Sequence, residues 1–286
     1  MTIGKPHKAN FVKILFILVG IISIFIIYAY WEARSIKLTE VEFESDEIPE
    51  GFIGKKIIFI SDIHCNQYFD KQDVVELVKR INDRNPDFII LGGDNIHTKQ
   101  KYVEPFLSGI KELKAKYGVY SVLGNHDYWG FATQLQKEFT DYGFHICDNK
   151  SYWVKEGNDS IKIGGVGDMW GDEQILENTI EDVKPDNFCI LLSHNPFYID
   201  EIETNRIDLM LSGHTHGGQI TFFGIYPLAM PGENSVNYLP ADPKYRYGWF
   251  EKDGIKLYVT SGIGTSIPFR FFARPEIVEI TLRNKK

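Results

Sequence analysis

Cysteine is scarce in this sequence, and its few positions form no pattern. The 286 residues contain three cysteines, Cys65, Cys147 and Cys189, which are widely spaced and odd in number. A disulfide framework needs an even set, and a zinc finger needs closely spaced pairs, so the spacing indicates neither. Internal repeats and low-complexity tracts are also absent, and no convincing linker follows residue 50. One large domain is the economical interpretation.

An excess of basic residues is also missing. Lys and Arg number 31 against 39 Asp and Glu, which leaves a formal net charge of −8. This balance argues against nucleic acid as the main partner, because a nucleic-acid surface needs clustered positive charge. Hydrophobic residues make up 43% of the chain, enough to fill a sizeable core.

Charge is absent altogether from the eighteen residues Ile14 to Trp31, ILFILVGIISIFIIYAYW. As a helix this run would be about 27 Å long, close to the roughly 30 Å of a bilayer core. A cleaved signal peptide is the alternative, but its apolar part is shorter and ends in small residues. This run ends in bulky aromatic residues, and no Arg-Arg pair precedes it. We therefore expect a retained single-pass anchor that only tethers the rest of the chain.

The charges that flank the run bear on its orientation. Lys5, Lys8 and Lys13 precede it, while Arg34 and Lys37 follow it. The positive-inside bias then favours a cytoplasmic N-terminus and an extracytoplasmic domain. We expect a cytoplasmic stub and anchor at residues 1–34, an edge strand and linker at 35–54, and a catalytic domain at 55–286.

Strand and helix patterns alternate in the first half of that domain. An apolar run at 56–61 is followed by apolar positions with helical spacing, at Val74, Leu77, Val78 and Ile81. Strand-like runs at Phe88 and Val119 flank a second helical pattern. This order is typical of parallel βαβ units. Shorter strands and further apolar runs follow after Asp127, so the sequence predicts an α/β fold.

Five apolar runs each end in polar residues that are able to bind metal. These residues are Asp62 and His64, Asp94, Asn125 with His126 and Asp127, His194, and finally His214 and His216. Ligands gather at the carboxyl ends of strands in open α/β sheets. In an extended segment, positions i and i+2 point to the same side, so we expect His214 and His216 to face one volume.

Taken in order, the blocks Asp-x-His, Gly-Asp, Gly-Asn-His-Asp, His and Gly-His-x-His resemble the calcineurin-like metallophosphoesterase superfamily. Ser-Gly-His-Thr-His-Gly-Gly-Gln and Gly-Ile-Gly-Thr-Ser-Ile-Pro-Phe-Arg…Arg-Pro-Glu-Ile are similar to its bacterial membrane- or envelope-associated phosphodiesterase branch. The resemblance covers roughly residues 55 to 282. It implies a four-layer α/β/β/α fold, a two-sheet β-sandwich flanked by helices, here with one N-terminal transmembrane helix.

The resemblance also implies two divalent metal ions per chain. Asp62, His64 and His216 would hold the first, Asn125, His194 and His214 the second, and Asp94 would bridge them. Mixed nitrogen and oxygen ligands without thiolate suit Mn²⁺, with Fe or Zn²⁺ as alternatives. Metal-activated hydroxide would then attack phosphorus in line.

His126 is the candidate general acid for the leaving oxygen, because imidazole is suited to acid–base work near neutral pH. The superfamily often orients this histidine with an Asp, but His97 stands at that position here. His97, a water or a carboxylate such as Asp127 remain the options. Asp168, Arg270 and Arg274 are further candidates for contacts with substrate, and plain structural roles remain open for all three.

The expected function is that of a membrane-anchored, dinuclear metal-dependent phosphoesterase, and the substrate class we favour is the phosphodiesters. One alternative is a pyrophosphatase of a lipid-linked sugar nucleotide, of the UDP-diacylglucosamine type. An alternative of another class is a catalytically inactive scaffold with the same fold. The expected partners are a phosphoester substrate, lipid-linked in the first alternative, and the membrane.

Overall fold

Two six-stranded sheets form the centre of the computed structural model, which describes residues 7–229 and 244–285. The helices are α1 His7–Arg34, α2 Lys71–Asn82, α3 Val103–Ile110, α4 Asn125–Tyr128, α5 Ala132–Asp141 and α6 Glu177–Ile180. The strands are β1 Lys37–Glu44, β2 Lys56–Ile60, β3 Phe88–Leu91, β4 Val119–Ser121, β5 His145–Ile146, β6 Ser151–Glu156, β7 Asp159–Gly165, β8 Cys189–Leu192, β9 Leu209–Ser212, β10 Ile220–Phe222, β11 Tyr226–Ala229, β12 Gly248–Lys252, β13 Ile255–Val259 and β14 Glu276–Arg283.

The parallel strands in each sheet bring their carboxyl ends to one edge. The first sheet has the order β1-β14-β2-β3-β4-β5, in which β2, β3, β4 and β5 run parallel. The second sheet has the order β12-β13-β9-β8-β7-β6, in which β7, β8, β9 and β13 run parallel. The loops that carry the polar blocks therefore leave the ends of β2, β3, β4, β8 and β9.

Alternation along β2 shows why the sheets pack face to face. Ile57 and Phe59 are fully buried in the core between the two sheets, together with Ile190 and Leu211 of the second sheet. Ile58 points to the opposite face and packs under the helices. Burying each such side chain stabilises the fold by about 1.5–3 kcal/mol. A strand buried on both faces therefore has to read as a continuous apolar run.

Helices cover the outer face of the first sheet. In α2 the side chains of Val74, Leu77, Val78 and Ile81 are buried, and they pack in the same core as Ile58. Asp70 begins this helix with a capping box that includes Asp73. On the outer face of the second sheet, the 3₁₀ helix Pro196–Glu201 and the single turn of α6 replace long helices. The expected architecture of two packed sheets between helical layers is confirmed.

Helix α1 is long and apolar, and its side chains are mostly exposed. Residues Phe11–Arg34 have a mean hydropathy of 2.8. Within the described ranges, α1 is the one helix that is both long enough and apolar enough to cross a membrane. The expected stub also includes residues 1–6, which lie outside the described residues.

The last turn of α1 is bound to the domain. Glu32 is only 2% exposed, and its carboxylate accepts hydrogen bonds from the backbone N–H groups of Phe272 and Ala273 at 3.0 and 2.7 Å. The backbone N–H of Arg270 donates to the Ala29 carbonyl at 3.0 Å. This differs from the expectation that the anchor only tethers the domain. Domain boundaries at residues 34 and 54 stay predictions, and β1 pairs with β14 along its whole length.

Candidate metal centre

The loops at one edge of the two sheets bring the predicted ligands together. Asp62 and His64 follow β2, Asp94 follows β3, Asn125 opens α4, His194 follows β8, and His214 and His216 follow β9. Five of them have a positive φ between 45° and 68°: Asp62, His64, Asp94, His214 and His216. Non-glycine residues rarely adopt this left-handed conformation, and those that do so cluster at functional sites. The backbone is therefore strained at the point where the side chains converge.

The first group consists of Asp62, His64 and His216, each of which offers one ligand atom within 4.8 Å of the other two. His64 Nε2 lies 3.2 Å from His216 Nε2. Asp62 Oδ1 lies 3.9 Å from His64 Nε2 and 3.7 Å from His216 Nε2. One carboxylate oxygen and two imidazole nitrogens thus face a common point, which is a donor set that divalent transition metals accept.

The second group consists of Asp94, His194 and His214, again within 4.8 Å of one another. Asp94 Oδ2 lies 3.3 Å from His194 Nε2 and 3.5 Å from His64 Nε2 of the first group. A single carboxylate oxygen therefore lies between the two groups. This is the position that a carboxylate needs in order to bridge two ions.

The two histidines of Gly-His-Thr-His do not reach the centre as the sequence predicts. Both have a left-handed backbone, with φ of 68° for His214 and 52° for His216, so the alternation of an extended strand does not apply. The chain turns between them, and each histidine joins a different group. The two histidines therefore face two adjacent ligand groups instead of one volume.

Main-chain groups hold several of these side chains in place. The Nδ1–H of His194 donates to the Gly92 carbonyl at 2.7 Å, which fixes the ring so that Nε2 faces Asp94. The backbone N–H of His214 donates to both carboxylate oxygens of Asp62, at 3.1 and 3.0 Å. Such outer contacts fix the tautomer and the orientation of metal ligands.

Two glycines allow the loops to approach the carboxylates closely. A Cβ atom on Gly213 would lie 2.3 Å from Asp62 Oδ2, and one on Gly124 would lie 2.3 Å from Asp94 Oδ1. Both distances are far inside van der Waals contact, so no other residue fits without moving a carboxylate. These glycines thus explain the Ser-Gly-His and Gly-Asn-His parts of the blocks.

Unpaired buried atoms show that the residues fit metal ions. Asn125 Oδ1 and His214 Nε2 are buried and have no hydrogen-bond partner among the described residues. Buried polar atoms in proteins are almost always hydrogen-bonded, so these two need a partner of another kind. The set contains oxygen and imidazole donors and no thiolate, which suits Mn²⁺, Fe or Zn²⁺.

The electrostatic field of the centre favours cations. Burial is the main cause that lowers the pKa values of three histidines, His64, His214 and His216. The pKa of His214 is lowered to about 3. Neutral imidazole is the form that binds metal. Burial acts in the same direction on His194, but Asp94, Asp62 and Asp168 together hold its pKa well above the usual range. Three buried carboxylates around one histidine thus stabilise positive charge at this point.

His126 lies beside the first group with one nitrogen fixed. Its Nδ1–H donates to the main-chain carbonyl of His97 at 2.7 Å, and its ring lies 4.6 Å from that of His64. The orienting atom is therefore a backbone oxygen, although the His97 ring also stacks on His126 at 5.1 Å. The carboxylate of Asp127 accepts hydrogen bonds from the Asn95 and Ile96 backbone, so it does not orient His126.

The remaining sequence candidates separate into two kinds. Asp168 is buried, and its charge raises the pKa of His194, so it lies within electrostatic reach of the centre. Arg270 is fully buried, and its guanidinium donates to the carbonyls of His216, Ser261, Gly264 and Ala273. The structure thus gives Arg270 a positioning role, which is one of the two roles that the sequence left open. The Nε–H of exposed Arg274 donates to the Ser35 carbonyl, away from the ligand groups.

Aromatic neighbours and a small cavity complete the surroundings. The Trp129 ring lies 4.2 Å from that of His126, and the Trp170 ring lies 4.8 Å from that of His214. A cavity of about 170 Å³ beside His97 is lined by residues that include Asn66, Lys99 and Tyr102. The sequence gives no signal for these cavity residues, because they come from separate loops.

A two-sheet α/β fold with paired metal-ligand groups at the carboxyl ends of its strands defines a class of protein, the metal-dependent phosphoester hydrolases. The chain belongs to the calcineurin-like phosphoesterase family, whose model matches residues 55–218. Members of this family depend on two metal ions.

Among its relatives is the uncharacterized metallophosphoesterase YkuE of Bacillus subtilis (strain 168). The two are 33% identical over 262 residues, which cover 89% of this chain and 88% of YkuE. A transmembrane protein with metallophosphoesterase domain from Danio rerio is 25% identical over 265 residues, which cover 88% of this chain and 58% of that protein. Among solved structures, a dimetal phosphatase from Danio rerio has a TM-score of 0.46 and 10% sequence identity to this chain, and the match covers 80% of this chain and 99% of that chain.

Proposed function

We propose that this protein is a membrane-anchored, dinuclear metal-dependent phosphoesterase that hydrolyses phosphodiesters. The observation that carries the proposal is the position of Asp94 Oδ2, 3.5 Å from His64 Nε2 of one ligand group and 3.3 Å from His194 Nε2 of the other. A shared carboxylate between two three-residue groups is the arrangement that a two-metal hydrolase needs.

Seven residues would hold the two ions. Asp62, His64 and His216 take the first, Asn125, His194 and His214 take the second, and Asp94 is shared. When bound, two such ions lower the pKa of a water and polarise phosphoryl oxygens. Mn²⁺ is the ion we favour for this donor set, and Fe and Zn²⁺ are the alternatives.

His126 would supply the proton for the leaving oxygen. Because its Nδ1–H is already donated to the His97 carbonyl at 2.7 Å, Nε2 is the ring nitrogen that would carry the transferable proton. The Trp129 ring, 4.2 Å away, limits how the imidazole can rotate. The fixed ring can therefore give up its Nε2 proton without first having to reorient.

The apolar α1 would place this chemistry at a membrane. Its Phe11–Arg34 segment has the length and hydropathy of a single transmembrane span. Three lysines before the apolar run and two basic residues after it favour a cytoplasmic N-terminus, so the proposed side for the catalytic domain is extracytoplasmic.

A substrate panel tests the proposal. The full-length protein in detergent, supplied with Mn²⁺, is assayed for products from a soluble diester, a monoester and a lipid-linked nucleotide pyrophosphate. We expect the diester to have the highest kcat/KM. Preference for the pyrophosphate would favour a lipid-linked sugar-nucleotide pyrophosphatase, and no turnover with metal bound would favour an inactive scaffold.

Two aspartate variants serve as a matched pair in this assay. Asp94→Asn weakens a ligand shared by both groups, so we expect loss of metal from both and a fall in rate of at least 100-fold. Asp253→Asn changes an exposed turn residue between β12 and β13 and should leave both quantities unchanged. Metal analysis of the wild-type protein that shows less than one ion per chain after loading contradicts the proposal.

A further inference from the structure

A surface of exposed apolar side chains lies on the hairpin formed by β10 and β11. Large apolar residues are usually buried, yet five of them here are between 50% and 77% exposed: Phe222, Phe223, Ile225, Tyr226 and Leu228. Phe272, from the loop before β14, is 40% exposed and its ring lies 5.6 Å from that of Phe223. We call these six residues the apolar ledge. Contiguous exposed apolar surface of this kind marks a site of interaction.

The apolar ledge is continuous with the proposed membrane anchor. The ring of Phe272 lies 5.8 Å from that of Tyr28 on α1 and 4.7 Å from that of Phe271. Phe271 in turn lies 5.5 Å from Phe25 on α1 and 5.4 Å from Tyr28. The apolar surface therefore runs without a break from the helix, through the loop, to the hairpin.

The level of these contacts along α1 places them within its apolar segment. Phe25 lies nine residues before Arg34, which corresponds to about 13 Å along a helix axis. If Arg34 lies at the membrane surface, the Phe25–Phe271 contact lies on the hydrocarbon side of it. A main-chain hydrogen bond fixes the position of the loop along α1, because the backbone N–H of Arg270 donates to the carbonyl of Ala29.

We propose that the apolar ledge is inserted into the lipid bilayer beside α1. The inference rests on the proposed anchoring of α1, and it adds a second point of insertion that belongs to the catalytic domain. The hairpin directly follows the metal centre along the sequence, because His216 lies only four residues before Ile220, where β10 begins. An inserted hairpin would hold the metal centre at the bilayer surface, where it meets phosphoesters carried by membrane lipids.

Depth-dependent quenching in vesicles tests the insertion without any measurement of activity. The full-length protein is reconstituted in phosphatidylcholine–phosphatidylglycerol vesicles (about 3:1). Single cysteines labelled with an environment-sensitive fluorophore are introduced at Ile225, at Ile17 of α1 and at Asn158. Position 158 is exposed in the β6–β7 turn, at the end of the sheet opposite the metal centre. The native cysteines Cys65, Cys147 and Cys189 are buried, which limits background labelling.

We expect lipids that carry a quencher on the acyl chain to quench Ile225→Cys and Ile17→Cys severalfold more than Asn158→Cys. Leu228→Cys provides a second position on the apolar ledge and should behave as Ile225→Cys does. If Ile17→Cys is quenched while both ledge positions match Asn158→Cys, the insertion is refuted and the anchoring stands. If the ledge positions are quenched and Ile17→Cys is not, the apolar ledge meets lipid without α1, and insertion beside α1 is refuted together with the anchoring.

The experiment also detects the alternative in which a second copy of this chain, and not lipid, covers the apolar ledge. In that case the ledge positions are shielded from the lipid quencher, and oxidation links Ile225→Cys chains into dimers. That result also refutes insertion.

Discussion

At the scale of single residues, His126 is distinguished from the ligands by what its side chain contacts. It belongs to neither of the two groups Asp62–His64–His216 and Asp94–His194–His214, its Nδ1–H donates to the His97 carbonyl, and it forms a third, partly buried cluster with His64 and His97. We expect His126→Ala to keep both metal ions and to lose about 10²–10⁴ in rate, the usual value of a general acid. The loss should shrink for p-nitrophenyl esters, because p-nitrophenolate departs without a proton.

Metal content and rates with good and poor leaving groups check this prediction. His97→Ala is the matched variant, because it keeps the backbone carbonyl that orients His126 and removes only the stacked ring. We expect a much smaller loss from it. Equal damage by His126→Ala to both leaving groups, with metal intact, would make His126 an electrostatic or positioning residue.

Asp208 is a half-buried carboxyl outside the metal centre, and it makes stability depend on pH. Burial raises its pKa to about 6, although it accepts a hydrogen bond from the Cys189 N–H. The folded state then binds more protons than the unfolded state between about pH 4 and 6, so the contribution of Asp208 to stability falls as pH rises through that window. Above pH 6 the full cost of the half-buried charge is present.

Asp208→Asn removes that charge and keeps an oxygen for the Cys189 N–H. We expect its Tm to exceed that of the wild type by about 2–4 °C at pH 8 and to match it near pH 4. Thermal unfolding across this range is the measurement, with Asp253→Asn as the exposed control. A difference that does not change with pH would show that packing, and not ionisation, is responsible.

At the scale of elements, the contact between α1 and the loop that follows Phe269 is a structural part of the domain. Glu32 accepts two backbone hydrogen bonds from this loop, and the same loop carries Arg270, which donates to the His216 carbonyl. The end of α1 is therefore connected to a candidate metal ligand through one buried guanidinium.

We expect Glu32→Gln to lower the free energy of unfolding by roughly 2–4 kcal/mol, because hydrogen bonds to a buried carboxylate are stronger than those to an amide. It should also lower activity on soluble substrates through Arg270. Glu42→Gln, in an exposed pair with Arg283, is the control and should change neither. Thermal unfolding in detergent and diester hydrolysis measure both effects. If the two variants behave alike, α1 only tethers the domain.

The strands that deliver the ligands are the elements that the sequence predicts best. Runs such as Ile57–Ile60 are buried on both faces, so continuous apolarity followed by a polar block marks each strand end. The hairpin of β10 and β11 is absent from the prediction. Its apolar residues, such as Phe222 and Ile225, face outwards, and no rule based on a buried face identifies them.

Two features of the site depend on tertiary contacts that no local pattern contains. The left-handed φ of His214 and His216 is imposed by their surroundings, so the extended geometry expected from sequence is wrong. Arg270 donates to carbonyls of two loops, the one after β9 and the one between β13 and β14, and its burial follows from their convergence. The identities of the candidate ligands follow from sequence spacing and resemblance, whereas their arrangement follows only from the fold.

At the scale of the whole molecule, orientation is the property that decides which substrates the protein meets. The basic residues around the apolar run favour an extracytoplasmic domain by a margin of one. We expect a C-terminal reporter that is active only outside the cytoplasm to be active in the fusion. Replacing Lys8 and Lys13 by Gln should reduce that activity, because the charge bias then reverses. Activity of a cytoplasm-only reporter in the wild-type fusion would contradict this orientation.

The pairing of β1 with β14 has a consequence for biogenesis. In the first sheet β14 lies between β1 and β2, although β1 and β2 are made long before it. The sheet thus keeps a gap until β14 emerges from the ribosome, and the edge of β2 stays unpaired during that time. A nascent chain that cannot close its sheet stays competent to pass through a secretion channel. If the domain is extracytoplasmic, as we propose, this strand order would delay its folding until its translocation is nearly complete.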